Sequence, residues 1–264
     1  MQEPIRYGDA EITRDGHVAI AEIRRPPNNF FDVDLINALV QAFRDLDDDP
    51  ECRAIVLCSE GKHFCAGNDF SRARNDSGTT ARKVADGNPL YSAAVDLFGC
   101  KKPVVGAIQG AAVGGGFGLA LMPDFRVVCP EARFTANFVK LGFHPGFGLT
   151  HTLPRLIGQQ KANTVFLTGK RIDGETAHAW GLGDVLTDRQ SVRSKAITLA
   201  SEIAENAPLA VLSVRATMRA GLAQSVKDQT DHEFLEQHRL QQTEDHREGV
   251  QAVAERRAGN FTGR

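Results

Sequence analysis

The chain has 264 residues, of which 42% are apolar, so it is long enough to bury one substantial core. Its 31 basic and 33 acidic residues give a formal net charge of −2, which leaves no excess of positive potential to attract nucleic acid or an anionic membrane. Five scattered cysteines without a C-x-x-C pair, no apolar run of membrane-spanning length and no signal-peptide pattern predict a cytoplasmic protein without a disulfide framework or a metal site.

The first third of the chain predicts a hairpin, a helix and a core strand. Residues 10–14 and 17–23 alternate between apolar and polar and flank Asp15-Gly16, a pair typical of tight turns. Apolar residues then recur at helical spacing from Val33 to Leu46. The short apolar run 53–58 that follows is typical of a buried strand.

The middle of the chain predicts strands that alternate with loops and helices. Residues 61–89 are polar and rich in Gly, Ser, Asn and Arg, which is typical of a loop over a site. Strands are predicted at 103–108 and 125–129, on either side of a glycine-rich stretch at 110–118. This alternation ends at about residue 187.

The last third of the chain predicts helices only. Helix formers dominate from 191 to 259, with breaks at Ala207-Pro208 and near Gly221. We therefore predict an α/β core over residues 1–190 and a C-terminal helical region over residues 191–264.

Three familiar catalytic motifs are incomplete. The stretch 114–118 lacks the lysine and hydroxyl of a phosphate-binding loop and the spacing of a dinucleotide fingerprint. The segment 232–236, His-Glu-Phe-Leu-Glu, lacks the second histidine of a zinc protease and is interpreted as a solvated helix face. No G-x-S-x-G nucleophile elbow is present.

Five segments, taken together, carry a family resemblance. They are Arg-Arg-Pro-Pro-Asn-Asn at 24–29, Gly-Lys-His-Phe-Cys-Ala-Gly-Asn-Asp at 61–69, the glycine-rich 110–124, Leu-Pro-Arg-Leu-Ile-Gly at 153–158, and Glu-Gly-Val-Gln-Ala-Val-Ala-Glu-Arg-Arg at 248–257. In order and spacing they resemble the crotonase (enoyl-CoA hydratase/isomerase) family over nearly the whole chain. The resemblance implies a crotonase-like α/β spiral of β-β-α turns, followed by helices that trimerise and help to cover the site. It also implies a homotrimer or a hexamer built as a dimer of trimers.

The resemblance implies an acyl-CoA substrate and an enolate intermediate of fatty acid metabolism. A thioester carbonyl gains negative charge as the enolate forms, and two preorganised backbone N–H groups, here those of Asn68 and Gly115, would stabilise it. Coenzyme A is part of the substrate, and no separate cofactor is expected. It would lie against Ala66, Gly67 and Gly114, with Arg256 at a phosphate.

The glycine-rich stretch and the early Arg-Pro segment leave alternatives open. Close packing of a helix on a strand explains Gly114 to Gly118 as well as an oxyanion site does. Asp69 is interpreted as a helix cap and Asp124 as a structural loop acid. Pro27 stands where many relatives have a phosphate-binding lysine, so Arg24 or Arg25 is a candidate substitute.

The chain departs from the family at the two glutamates that hydratases use. Gly118 and Phe138 occupy their positions, and neither can transfer a proton, so two-glutamate hydration is not expected. The loop 138–148 contains no acid but offers His144 as a candidate acid or base; a structural role for His144 is the alternative. Tyr91, His232 and His238 are weaker candidates for the same role, and each is expected at the surface.

Four phenylalanines near the expected site predict an apolar acyl pocket, although a core role explains them equally well; they are Phe117, Phe138, Phe143 and Phe147. A dry pocket favours proton transfer, decarboxylation or carbon–carbon cleavage, as in a lyase or an isomerase. Two other functions fit the same residues: a catalytically weak homologue that binds acyl-CoA, and a hydrolase of non-CoA β-diketones.

Overall fold

The computed structural model describes residues 3–68 and 87–264, and within them strands build two sheets. The strands are β1 (Ile5–Tyr7), β2 (Ala10–Asp15), β3 (Val18–Ile23), β4 (Ala54–Ser59), β5 (Val104–Ile108), β6 (Ala111–Val113), β7 (Phe125–Val128), β8 (Arg133–Thr135), β9 (Arg171–Asp173) and β10 (Val185–Leu186). The larger sheet has the order β1-β2-β3-β4-β5-β7-β10, and the smaller one has the order β6-β8-β9.

Helices surround these sheets and dominate the end of the chain. They are α1 (Val33–Asp48), α2 (Pro89–Phe98), α3 (Gly115–Leu121), α4 (Leu149–Ile157), α5 (Gln159–Thr168), α6 (Gly174–Ala179), α7 (Val192–Ala204), α8 (Pro208–Met218), α9 (Leu222–Leu240) and α10 (Glu244–Ala254), with 3₁₀ turns at Asn137–Leu141 and Arg189–Ser191. The result is the mixed α/β architecture that was predicted.

The N-terminal hairpin is confirmed, with its turn one residue later than predicted. Strands β2 and β3 pair antiparallel, and Asp15 pairs with Val18, so Gly16 and His17 form the turn. Gly16 has φ +57°, a left-handed conformation in which glycine carries no steric penalty. From β3 onward the strands of the large sheet run parallel.

The predicted helix after the hairpin is confirmed and extends two residues further, to Asp48. The Asp32 carboxylate accepts a hydrogen bond from the Leu35 N–H at 3.0 Å and so caps the first turn. The apolar stripe, including Leu35, Leu39 and Phe43, is buried. Strands β4 and β5 are buried at every residue, as expected for parallel strands that are covered on both faces.

The helical end of the chain is confirmed with both predicted breaks, and a third break separates α9 from α10 at residues 241–243. Helix α7 packs on strands β3, β4, β5 and β7 of the large sheet. The division of the chain at residue 190 stays a prediction.

Five short strands were not predicted from the sequence: β1, β6, β8, β9 and β10. Each has two or three residues, too few to show a period of two. Strand β6 lies inside the glycine-rich stretch and leads directly into α3. The small sheet therefore decides where the predicted oxyanion donor Gly115 lies.

No single helix within residues 3–68 and 87–264 combines the length and the apolar composition that a membrane crossing needs. By length and composition alone, one pair of helices bent by 106°, Arg189–Ala204 with Pro208–Leu240, could do so. All five cysteines are buried and free.

Candidate active site

The first glycine loop is held by a buried asparagine from the early Arg-Pro segment. The Asn29 side-chain amide donates to the carbonyls of Glu60 at 2.8 Å and His63 at 2.7 Å. The Ala66 N–H donates to the Asn28 carbonyl at 2.9 Å, so the two segments run side by side. The Arg-Pro segment therefore fixes the position of the loop that contains Asn68.

The peptide between Gly67 and Asn68 has a fixed orientation. Its carbonyl accepts a hydrogen bond from the Phe31 N–H at 3.0 Å. Because C=O and N–H point in opposite directions across a trans peptide, the Asn68 N–H points away from Phe31. Gly67 has φ +92°, and a Cβ there would lie 2.7 Å from the Val113 carbonyl oxygen, so only glycine fits.

The peptide between Gly114 and Gly115 is fixed by helix α3. Its carbonyl accepts hydrogen bonds from the Phe117 N–H at 3.0 Å and the Gly118 N–H at 3.2 Å. By the same trans geometry the Gly115 N–H points outward from the start of the helix. The Gly114 N–H, which belongs to the preceding peptide, donates to the Thr135 carbonyl at 2.8 Å and ties the start of the helix to strand β8.

Both peptides border one cavity of about 370 Å³. The predicted residues Ala66, Gly67, Asn68, Gly114 and Gly115 all line it, so the fold brings five of the seven predicted site residues together. The remaining lining residues that the structure describes are mostly aromatic or neutral polar side chains: Phe31, Asn88, Leu90, Tyr91, Val113, Asn137, Phe138, Leu141, Phe143, Gly146, Phe147, Phe234, Gln237, Gln241 and Val253. No charged side chain is among these described lining residues.

The glycines of helix α3 are also required for close packing, as the alternative interpretation held. A Cβ at Gly115 would lie 2.4 Å from the Phe31 ring, and one at Gly116 would lie 2.2 Å from the Cys65 carbonyl oxygen. One at Gly118 would lie 2.7 Å from the Phe147 ring. These distances are shorter than side chains tolerate, so packing alone demands glycine here.

Three of the four phenylalanines line the cavity, as the pocket interpretation predicted: Phe138, Phe143 and Phe147. Phe117 instead points into the core, where its ring lies 5.2 Å from that of Phe134. At the two positions where the resemblance implies glutamates in hydratases, Gly118 is buried beneath Phe147 and Phe138 forms part of the wall.

His144 does not line the cavity. Its Nδ1 lies 2.8 Å from the Pro145 carbonyl oxygen, and its ring packs edge-on against His232 with 5.9 Å between centroids. Its own carbonyl accepts a hydrogen bond from Gln237, which does line the cavity, at 2.8 Å. The acid/base role of His144 stays a prediction.

Tyr91 lines the cavity, and the expectation that it lies at the surface is wrong. Its side chain is buried, and the hydroxyl donates to Gln237 Oε1 at 2.7 Å. Burial and the nearby Glu233 carboxylate raise the pKa of Tyr91, so the phenol stays protonated. Residues so far apart along the chain meet only through packing of α2 on α9, and no local pattern reveals that contact.

Glu233 is also buried, which corrects the interpretation of residues 232–236 as a solvated face. Its carboxylate accepts hydrogen bonds from the Gly148 N–H at 2.8 Å, the Thr150 N–H at 3.0 Å and the Thr150 hydroxyl at 2.6 Å. Burial raises the pKa of Glu233 to about 7, although the bonds to Thr150 and Gly148 lower it. Gly148, at the N-cap position of helix α4, has no side chain that could cap the helix. Glu233, from helix α9, caps it instead.

Arg256 does not line the cavity and lies three residues after the lining residue Val253. It is exposed, and its guanidinium pairs with no carboxylate of the described chain, whereas the neighbouring Arg257 binds Glu248 and Glu255. The candidate substitutes Arg24 and Arg25 are each paired with two carboxylates. The partners are Glu11 and Glu60 for Arg24, and Asp9 and Asp32 for Arg25.

Two predictions fall mainly outside the described residues. Asp69 and most of the predicted loop 61–89 lie in the segment 69–86. Asp124, by contrast, has the predicted structural role: its carboxylate binds Arg215 and Arg219 at 2.8 and 2.9 Å. Among the described residues no group of three or more His, Cys, Asp or Glu is arranged to hold a metal ion.

Comparison with known proteins matches almost the entire chain. A family model for enoyl-CoA hydratase/isomerase matches residues 13–264. The chain is 32% identical over 260 residues to a carnitinyl-CoA dehydratase of Salmonella typhi, covering 96% of this chain and 98% of that protein. It is 34% identical over 234 residues to a probable enoyl-CoA hydratase of Mycobacterium tuberculosis, covering 87% of this chain and 88% of that protein. An enoyl-CoA hydratase/isomerase structure from Pseudoalteromonas atlantica superposes with a TM-score of 0.85 at 26% identity, covering 97% of this chain and 100% of that one.

Proposed function

The chain belongs to the enoyl-CoA hydratase/isomerase family and has the crotonase fold, and from this premise we propose that it converts an acyl-CoA thioester through an enolate. The observation that carries the proposal is the pair of peptides at Asn68 and Gly115. Each has its carbonyl engaged elsewhere and borders the same cavity, which leaves its N–H as a donor to a ligand.

Two such donors suit the chemistry of a thioester. Charge moves onto the carbonyl oxygen when a bond at the α-carbon breaks, and fixed N–H donors stabilise that charge without having to reorganise. Loss of one donor in such a site costs about 10²–10³-fold in kcat. The backbone serves here because the glycines keep side chains away from the approaching oxygen.

The reaction proposed is proton transfer or bond cleavage at the α-carbon of a neutral acyl group, as in an isomerase or a lyase. Gly118 and Phe138 supply no carboxylate for the addition of water. The described lining also has no cation, and burying an unpaired carboxylate is costly, so a malonyl-type acyl group fits less well than a neutral one. The names of the relatives make 2-enoyl thioesters the first substrates to test.

The coenzyme A portion is proposed to lie along the first glycine loop, at Ala66 and Gly67. The exposed Arg256, three residues after Val253 in the cavity wall, is the proposed phosphate contact. Its lack of a carboxylate partner within the described chain supports this role, because such a guanidinium is free to bind an anion.

The test uses a panel of 2-enoyl-, 3-enoyl-, 3-ketoacyl- and malonyl-type CoA thioesters incubated in D₂O and followed by mass spectrometry. Asn68→Pro removes the N–H of residue 68 but keeps the Gly67 carbonyl that accepts a hydrogen bond from the Phe31 N–H. Asn68→Ala keeps both groups. We expect the wild type to catalyse deuterium uptake or cleavage. The rate in Asn68→Ala should stay within about tenfold of the wild-type rate, and the rate in Asn68→Pro should fall by about 10²–10³-fold.

The mass change identifies the reaction. A gain of one water would contradict the exclusion of hydration, and carbon dioxide loss would contradict the preference for a neutral acyl group. Equal activity in the two Asn68 variants would show that this N–H does not act on the reacting thioester.

A second candidate function is binding of acyl-CoA without turnover. It is favoured by one observation: Tyr91, a weak acid, is the only ionisable side chain among the described lining residues. Calorimetric binding of thioesters that emerge unchanged would support this function. A wild-type protein that binds no thioester at all would favour the hydrolysis of β-diketones instead.

A further inference from the structure

Phe147 adopts a backbone conformation that is unusual for its residue type. Its φ is +63°, in the left-handed region, and the next residue, Gly148, has φ +70°. This region is unfavourable for a bulky residue because the Cβ crowds the backbone. The side chain is nevertheless buried, so contacts with the rest of the fold must hold the turn in place.

Side chains of helix α9 form hydrogen bonds with the backbone on both sides of this turn. The Glu233 carboxylate accepts hydrogen bonds from the N–H groups of Gly148 and Thr150, just after Phe147. Gln237 donates to the His144 carbonyl, just before it, at 2.8 Å. Glu233 and Gln237 are four residues apart and so lie on one face of the helix.

The Phe147 ring covers the glycine face of helix α3. A Cβ at Gly118 would lie 2.7 Å from Phe147 Cδ1, and one at Gly115 would lie 3.6 Å from Cδ2. Gly115 and Gly118 are three residues apart and form one face. The ring also packs against Phe31, with 5.6 Å between centroids, and borders the cavity.

We infer that Phe147 is a specificity-determining residue of the acyl site, which excludes any side chain at position 118 and closes the cavity beside Gly115 with an apolar wall. The inference rests on the proposed function. It assigns the site to compact, neutral acyl groups, because the ring occupies the space into which a longer chain would extend past Gly118. Glu233 and Gln237 act as positioning residues for this wall.

The first test measures binding to butyryl-CoA and octanoyl-CoA by isothermal titration calorimetry. Phe147→Ala is expected to improve the affinity for octanoyl-CoA relative to butyryl-CoA by about tenfold or more, since pocket discrimination of that size accompanies small changes in apolar volume. Binding of free coenzyme A should not change. Phe147→Leu should give an intermediate ratio, and Phe134→Leu, a core substitution away from the cavity, should leave the ratio unchanged.

The second test needs no ligand. Gly118→Ala is introduced into the wild type and into Phe147→Ala, and the melting temperatures form a double-mutant cycle. Gly118→Ala should lower the melting temperature of the wild type. In Phe147→Ala it should leave the melting temperature unchanged or raise it, because alanine is otherwise the better helix former. Equal losses in both backgrounds would show that the ring does not occupy the space at position 118.

The two proposals can fail separately. If the wild type binds neither thioester, the proposed function is overturned, and the acyl specificity that rests on it is overturned too. If the wild type binds butyryl-CoA but Phe147→Ala leaves the ratio of affinities within about twofold, the role of Phe147 alone is overturned.

Discussion

At the scale of single residues, the site uses the backbone for electrostatics and side chains for exclusion. In the proposed function Asn68 and Gly115 contribute N–H groups, and their surroundings explain why the adjacent residues are glycines. The aromatic side chains keep water out, and a hydrogen bond is stronger in such a medium of low dielectric constant. Proton transfer is the step for which the cavity offers the fewest groups.

We predict that Tyr91, rather than His144, donates the proton that the α-carbon of the enolate accepts, and that solvent then restores the proton of the phenol. Tyr91→Phe removes only the hydroxyl and should lower deuterium incorporation by about 10²-fold, the usual contribution of one acid/base group. His144→Ala should change it by less than about threefold, because that ring lies outside the cavity wall. Tyr91 stays protonated at neutral pH, since burial raises the pKa of its phenol, and therefore serves as a donor.

The measurement is the initial rate of deuterium incorporation at saturating thioester, with binding measured in parallel. Binding should be retained in both variants. A large loss in His144→Ala with full activity in Tyr91→Phe would contradict this assignment and restore His144 as the acid or base.

Arg256 provides a second prediction at this scale. Arg256→Ala should weaken binding of CoA thioesters by about tenfold, the loss expected for one exposed charge-assisted contact to a phosphate. Arg257→Ala is the matched control, because Arg257 is already paired with Glu248 and Glu255. Titration calorimetry at low and high salt measures the affinity of each variant for CoA thioesters. An equal loss of affinity in the two variants would contradict a specific role for Arg256.

At the scale of elements, helix α4 depends on helix α9 for its cap. Gly148 stands at the N-cap position without a side chain, and the buried Glu233 carboxylate takes over that function. Helix α9 thereby links the start of α4, the turn containing Phe147 and the hydroxyl of Tyr91. This dependence makes the wall of the cavity sensitive to the protonation of one carboxyl group.

We predict that Glu233 makes folding stability decrease as pH rises from about 4.5 to about 7. Burial raises the pKa of Glu233 from 4.5 to about 7 in the folded state, so over this window the folded protein binds more protons than the unfolded chain. The contribution is fully present below pH 4.5 and is lost as the group ionises. Its size is on the order of 3 kcal/mol, at about 1.4 kcal/mol for each pKa unit.

Glu233→Gln cannot ionise, so its free energy of unfolding should lack this contribution and change less between pH 5 and pH 8. Urea denaturation at several pH values measures the difference from the wild type. Glu236→Gln, at a partly exposed position on the same helix, is the control and should follow the wild type. Parallel pH profiles for all three proteins would show that the Glu233 carboxyl does not titrate in this window.

At the scale of the whole molecule, helix α8 leaves a large apolar surface uncovered. Leu209, Val214 and Met218 are 80%, 63% and 77% exposed, and none of the α8 residues is buried. Beneath the helix lies a cavity of about 730 Å³ with mainly apolar walls, among them Phe98, Phe125 and Val211. An exposed apolar surface of this kind marks an interface.

We predict self-association through this helix, in line with the homotrimer or dimer of trimers that the resemblance implies. Analytical ultracentrifugation should give three or six times the mass of one chain. Val214→Asp and Met218→Asp should shift the protein toward the monomer, because each would bury a charge in the interface. Gln190→Asp, a polar exposed position, should have no effect, and a monomeric wild type would contradict the prediction.

Local sequence signals suffice to predict the elements with a clear hydrophobic period and the glycine motif that lies between them. The hairpin, helix α1, strands β4, β5 and β7 and the helical end follow from periodicity, and the glycines at 67 and 114–115 mark the proposed donor peptides. Each of these features depends on a few neighbouring residues, since hydrophobic spacing and backbone freedom are properties of the local chain.

Which side chains meet in the cavity depends on how distant elements pack together. Nothing near Tyr91 in sequence indicates that it meets Gln237, 146 positions later, and nothing near Glu233 indicates that it caps helix α4. Phe147 gains its role only because α9 holds its turn over Gly118. These contacts come from the packing of distant elements, and packing selects partners by shape and burial rather than by any pattern along the chain.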